Sequence, residues 1–195
     1  MKMARCIALV RHAPSAHVHP GGRLDRHGMQ KWREAYDAAG ISCDPPPAEL
    51  VRLASGAALV ITSDLPRATA SARALAPTRP LVFSELLRET PLAIPRWPTR
   101  LPLAAWDVLI HGCWTWRILC GTDVPAADRS RGRTAADWLA ATVAGNCTAV
   151  VVTHGVFRRI LAQQLTADGW ISTSRNGGYG YWSCWTLERE RAADT

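Results

Sequence analysis

Cys6-Ile7-Ala8-Leu9-Val10-Arg11-His12-Ala13-Pro14 decides the fold. Five apolar residues without a polar interruption read as a parallel strand buried on both faces. The run stops on a fixed cation and an imidazole. Ligands of open α/β sheets bind where the strands end, at their carboxyl edge. Two more segments repeat the pattern: Leu59-Val60-Ile61-Thr62 runs into Ser63-Asp64-Leu65-Pro66-Arg67-Ala68, and Ala149-Val150-Val151-Val152-Thr153 into His154-Gly155. Arg11, His12, Arg67 and His154 are thereby gathered at one sheet edge, a set suited to a doubly charged phosphoryl group.

Working outward, the pattern predicts an α/β protein. The expected form is a single domain over residues 1–195, a three-layer α/β/α sandwich whose mostly parallel sheet carries one antiparallel edge strand. Leu24, Gly28, Trp32, Tyr36 and Ala39 recur at helical spacing. Further helices are expected at about Ala48–Leu53, Asp64–Leu75, Leu103–Leu119, Arg133–Val143 and from His154 to Leu165. Strands are expected at Arg5–Val10, Ala58–Thr62, Pro80–Phe83 and Ala149–Thr153, with Tyr181–Leu187 as the last, edge strand. Pro91, Pro95, Pro98 and Pro102 exclude a continuous helix between them. Glu188–Thr195 reads as a polar tail that frays.

Composition narrows the class. With 195 residues, 48% hydrophobic and 20% charged, the chain suits one soluble domain. Its apolar runs are too short to span a bilayer, and no signal peptide precedes Arg11, so a cytoplasmic protein without membrane association is expected. The net charge of +7 is almost all arginine, Lys2 and Lys31 being the only lysines. The arginines form no basic run with interleaved aromatics, which argues against nucleic acid and for a small anionic substrate. Cys6, Cys43, Cys113, Cys120, Cys147 and Cys184 form no Cys-x-x-Cys pair. They read as small buried thiols in a reducing compartment, not as metal ligands.

Each gathered residue has its own chemistry. A neutral His12 nitrogen can attack phosphorus and hold the phosphoryl group, provided its other nitrogen donates to a fixed partner such as a backbone carbonyl. Ser63 reads as a helix N-cap and Pro66 as a first-turn residue. Arg67 then sits against the helix macrodipole at a cost of about 0.3–1 kcal/mol, reasonable if cation and dipole serve one anion. A pairing of Arg67 with Asp64 or another carboxylate is the plainer alternative. The helix after His154 offers free N–H groups to a phosphate, Gly155 permits close approach, and His154 serves best protonated. Arg11 grips phosphate with a planar fork. Ser15 is a lesser candidate for a hydroxyl contact.

Arg11-His12-Ala13, Ser63 to Ala68, Leu87-Arg88-Glu89 and Thr153-His154-Gly155 resemble, in order, the motifs of the histidine phosphatase superfamily, the phosphoglycerate-mutase-like group. From Arg11 to Gly155 the resemblance covers most of the chain. It implies a phosphoglycerate-mutase-like fold and a metal-independent, cofactor-free hydrolase that cleaves a small phosphate monoester through phospho-His12. Glu89 takes the place of the family's acid, which protonates the leaving oxygen and then deprotonates water. Glu85 is a rival, and a surface Glu89 paired with Arg88 is the bland alternative.

The chain also departs from the family. Val18 stands where a polar Asn is frequent, with His17, His19 and Arg23 as replacement contacts. Thr90-Pro91-Leu92-Ala93-Ile94-Pro95-Arg96-Trp97 replaces a glycine-rich acidic segment. The resemblance implies a cap or specificity segment at about 90–120, and Trp97, Trp106, Trp114 and Trp116 within it are candidates for an apolar wall, or else for core and self-associating surface. Rival functions are a phosphoglycerate-type mutase, a protein phosphohistidine phosphatase and a phosphate-binding pseudophosphatase. Substrate identity and oligomeric state are left open by the sequence.

Overall fold

The computed structural model describes residues 5–18, 21–119, 125–143 and 148–190. Strand β1 (Arg5–Arg11) lies in the middle of a six-stranded sheet. Its side chains alternate across the sheet, and both sets are fully buried: Ile7 and Leu9 join one core cluster, Ala8 and Val10 the other. β3 (Leu59–Thr62), β4 (Leu81–Phe83) and β6 (Thr148–Thr153) run parallel to it, and with β7 (Ile171–Asn176) and β8 (Cys184–Arg189) the sheet order is β4-β3-β6-β1-β8-β7.

Two helical layers cover the sheet. α5 (Ala126–Thr142) and α6 (Gly155–Ala167) pack on the Ile7 and Leu9 face through Ala135, Leu139, Phe157 and Leu161. α2 (Ala48–Gly56) and α3 (Pro66–Leu75) pack on the opposite face through Leu50, Ala54, Ala68, Ala72 and Leu75. A third cluster is separate. There α1 (Arg26–Ala38) and α4 (Leu103–Leu119) enclose Met29, Trp106 and Ile110, with Leu24 and Leu101 from the two-stranded ribbon of β2 (Arg23–Leu24) and β5 (Leu101–Pro102). This cluster holds most of the segment expected to form a cap.

Several expectations are corrected. The last strand is β8 (Cys184–Arg189), and it is interior, antiparallel between β1 and the true edge strand β7 (Ile171–Asn176). Ile171-Ser172-Thr173-Ser174-Arg175-Asn176 has hardly an apolar residue, so no period-two signal betrays it. Glu188 and Arg189 belong to β8 and not to a tail, and residues 191–195 lie outside the described residues. α5 begins at Ala126, seven residues before the expected start, with polar residues and Gly132 in its first half. Gly132 is there for packing: a Cβ would lie 2.6 Å from Ile160 Cγ2 on α6. Of the cysteines, Cys43 and Cys113 are exposed and Cys184 is buried, while Cys120 and Cys147 lie outside the described residues. No described helix is long and apolar enough to cross a membrane.

Candidate active site

Register brings the chemistry together. Arg11 pairs with Thr153 across β1 and β6, and Thr62 with Val152 across β3 and β6. The three strands therefore end at one level. His12 N–H donates to Thr153 O (3.0 Å) and Ser63 N–H to Val152 O (3.0 Å), which continues the ladder into the site.

His12 is buried, and its Nδ1 donates to the Ala13 carbonyl at 2.6 Å. That fixes the tautomer and leaves Nε2 with a lone pair, which accepts from Arg67 Nε at 3.2 Å. Burial, followed by the neighbouring Arg67 charge, lowers His12 to about 3. The ring is neutral. Arg67, fully buried, also donates to Asp37 on α1 (2.8 Å) and lies over the Tyr36 ring, 4.7 Å from its centroid. Asp37, not Asp64, is its carboxylate partner; Asp64 is taken by both Arg88 nitrogens.

Ser63 is not the helix cap. α3 starts at Pro66 with Leu65 as N-cap, and Ser63 Oγ accepts from Leu65 N (3.3 Å) while meeting His154 Nε2 at 3.0 Å. The His154 Nε2 is thus engaged by the Ser63 hydroxyl, while Nδ1 has no protein partner. His154 is fully buried, and burial first, then Arg67, holds it well below its ordinary pKa. In place of the expected imidazolium, burial favours the neutral imidazole, whose ring centroid lies 5.1 Å from that of His12.

The N-terminus of α6 also differs from expectation. Two of its N–H groups are taken by Glu89: Oε1 accepts from Phe157 (2.9 Å) and Oε2 from Val156 at 3.4 Å, while Oε1 also accepts from Thr90 N–H (2.9 Å) outside the helix. Gly155 makes room for Arg11, whose Cζ would lie 3.4 Å from a Cβ there. Arg11 donates to the Tyr179 carbonyl, stacks over Tyr181 (4.4 Å) and keeps its buried Nε unpartnered.

A cavity of about 370 Å³ opens on this edge, lined by Arg11, His12, Arg67 and Glu89 among others. Glu85 does not line it; it is exposed and lies 3.6 Å from Arg88. Ser15 is absent from the lining too, its hydroxyl accepting instead from His17 N (3.1 Å). His17 packs on Trp32, Arg23 is an exposed β2 residue, and His19 lies outside the described residues. None of Trp97, Trp106, Trp114 and Trp116 reaches the cavity. Trp106 is core, Trp97 and Trp116 are exposed, and Trp114 lies under Arg159.

Sequence reasoning missed Asp37, Tyr36 and Tyr181 on the cavity wall, and two supporting arginines. Arg131 on α5 donates to the Leu86 (3.1 Å) and Arg88 (2.6 Å) carbonyls, holding the turn that presents Glu89. Buried Arg158, lowered to about 10 by burial, donates to Ser183 O (2.7 Å) and Gly178 O (2.9 Å) and steadies the turn that carries Tyr179 and Tyr181. No local motif marks these residues. Among the described residues, no three His, Cys, Asp or Glu side chains are grouped to hold a metal ion.

A mostly parallel sheet, with Arg11-His12 closing its central strand and His154-Gly155 opening the helix after the neighbouring strand, has the phosphoglycerate-mutase-like fold. Solved structures bear this out. Mycobacterial hydrolase 2 superposes with a TM-score of 0.61 at 19% identity, covering 97% of this chain and 84% of its own. A mycobacterial glucosyl-3-phosphoglycerate phosphatase in complex with VO3 gives 0.59 at 19% identity, over 97% and 98% of the two chains. Phosphoserine phosphatase from Entamoeba histolytica, in complex with 3-phosphoglyceric acid, gives 0.56 at 14% identity, over 97% and 98%. No family model and no curated protein matches the chain.

Proposed function

We propose that this chain is a metal-independent phosphatase that hydrolyses a small phosphate monoester through a phosphohistidine on His12. The observation that carries the reading is the state of His12: Nδ1 is engaged with a backbone carbonyl, Nε2 carries the lone pair beside Arg67, and the ring is neutral. In the first step Nε2 attacks phosphorus, the bond to the leaving oxygen breaks, and Glu89 gives that oxygen its proton. Oε2, with its single long contact, is the oxygen free to carry the proton. In the second step water attacks phosphorus, Glu89 takes its proton, the P–N bond breaks, and phosphate departs. Arg11 and Arg67, which line the cavity, and His154, whose ring lies behind it 5.1 Å from the His12 ring, stabilise the charge on the transferring oxygens.

The test is mass spectrometry of protein quenched during turnover of 4-nitrophenyl phosphate. An acid-labile phosphoryl adduct should appear and be absent from His12→Ala, whose kcat falls by at least about 10³-fold. Turnover should persist in EDTA. Near-wild-type activity in His12→Ala overturns the reading.

A further inference from the structure

Each arginine assigned to the phosphoryl group lies on the face of a tyrosine. The Arg67 guanidinium stands 4.7 Å from the centroid of the Tyr36 ring, and that of Arg11 4.4 Å from the Tyr181 ring. Both tyrosines line the cavity, Tyr36 from α1 and Tyr181 from the turn before β8. Both stacks also reach the nucleophile. Arg67 Nε donates to His12 Nε2 at 3.2 Å, and the Tyr181 ring lies 5.7 Å from the imidazole. Tyr36 is itself braced, stacked at 5.2 Å on Trp32 one helical turn earlier, which in turn packs on His17. Burial, and after it the neighbouring Tyr181, holds the Tyr36 hydroxyl well above its ordinary pKa, so this ring stays uncharged. That matters for an anion site. A carboxylate holds a guanidinium by neutralising it, as Asp37 does at Arg67 Nη1. A neutral ring face fixes the guanidinium plane and leaves its charge and its N–H edge to an anion. Arg11 has the second kind of support, with one nitrogen given to the neutral Tyr179 carbonyl.

We infer that Tyr36 and Tyr181 are positioning residues, each holding one arginine in plane so that both guanidinium groups meet the same phosphoryl group. This rests on the part of the phosphatase reading that gives Arg11 and Arg67 to that group, not on the chemistry at His12. Calorimetric titration with inorganic phosphate tests it without turnover. Tyr36→Leu and Tyr181→Leu should each raise the Kd for phosphate about 5- to 20-fold. Tyr36→Phe and Tyr181→Phe keep the ring and should stay within about 2-fold of wild type. Damage to folding alone would lower the binding stoichiometry and leave the Kd of the folded fraction unchanged, and that result overturns the inference. Because the ring acts through its arginine, adding Tyr181→Leu to Arg11→Met should cost less than about 2-fold more. Full additivity, Phe variants as weak as the Leu variants, or a wild-type protein that binds no phosphate likewise overturns it. If phosphate binds in the expected pattern while 4-nitrophenyl phosphate leaves no adduct on His12, the phosphatase reading falls and the paired stacks stand.

Discussion

His12 and His154 are held neutral in a pocket that also contains Arg11 and Arg67, and this has a cost at low pH. In the unfolded chain both imidazoles titrate near their ordinary pKa of about 6.5. In the folded chain His12 is lowered to about 3 and His154 is lowered as well. Between those limits the unfolded chain binds protons that the folded chain refuses, so stability is full above about pH 6.5 and is lost as pH falls. Tm measured from pH 7.5 down to pH 4.5 should therefore drop steadily, and His12→Gln, which has no proton to take up, should flatten the fall. A wild-type Tm that holds level over this range would mean that His12 is not kept neutral by the fold.

At the scale of elements, α6 depends on a side chain from another part of the chain. Its N-cap, His154, makes no side-chain cap, and Glu89 answers the Val156 and Phe157 N–H groups instead. The same carboxyl is the proposed acid, so structure and chemistry can be separated by substitution. Glu89→Gln retains an acceptor for the helix, and its unfolding midpoint in urea should stay close to wild type. Glu89→Ala should lose about 0.5–2 kcal/mol, the usual worth of a helix cap. Both variants should slow alkyl phosphates by about 10²-fold or more and 4-nitrophenyl phosphate far less, since nitrophenolate leaves without a proton. Equal slowing of the two substrates would remove Glu89 from the acid's role.

Across the whole molecule, two cores share the sheet while the third stands over the strand ends and supplies the cavity's apolar wall. Trp106 is its centre, fully buried with its indole N–H donating to the Leu24 carbonyl at 2.9 Å. Trp106→Ala should cost about 3–5 kcal/mol, as large-to-small changes at buried aromatics do. Amide exchange should locate the loss in α1 and α4, with β1, β6 and α6 still protected. Uniform loss of protection would show that the third cluster unfolds together with the sheet.

The buried strands and their chemistry were legible because apolar runs, and the polar residues that end them, are local features. Cys6–Val10, Leu59–Thr62 and Ala149–Thr153 announce a parallel sheet, and Arg11, His12, Arg67 and His154 stand at its edge for that reason. β7 was not legible, since a polar edge strand has no hydrophobic period and is specified only by pairing with β8. The wall of the cavity was equally hidden. Trp32 and Asp37 reach it from α1 and Tyr181 from the turn before β8, so their meeting depends on long-range packing that no window of sequence contains. The charge state of His154 lies beyond the sequence for a related reason. Sequence names the imidazole, but only the tertiary structure buries it among guanidinium groups, and burial decides whether it carries a proton.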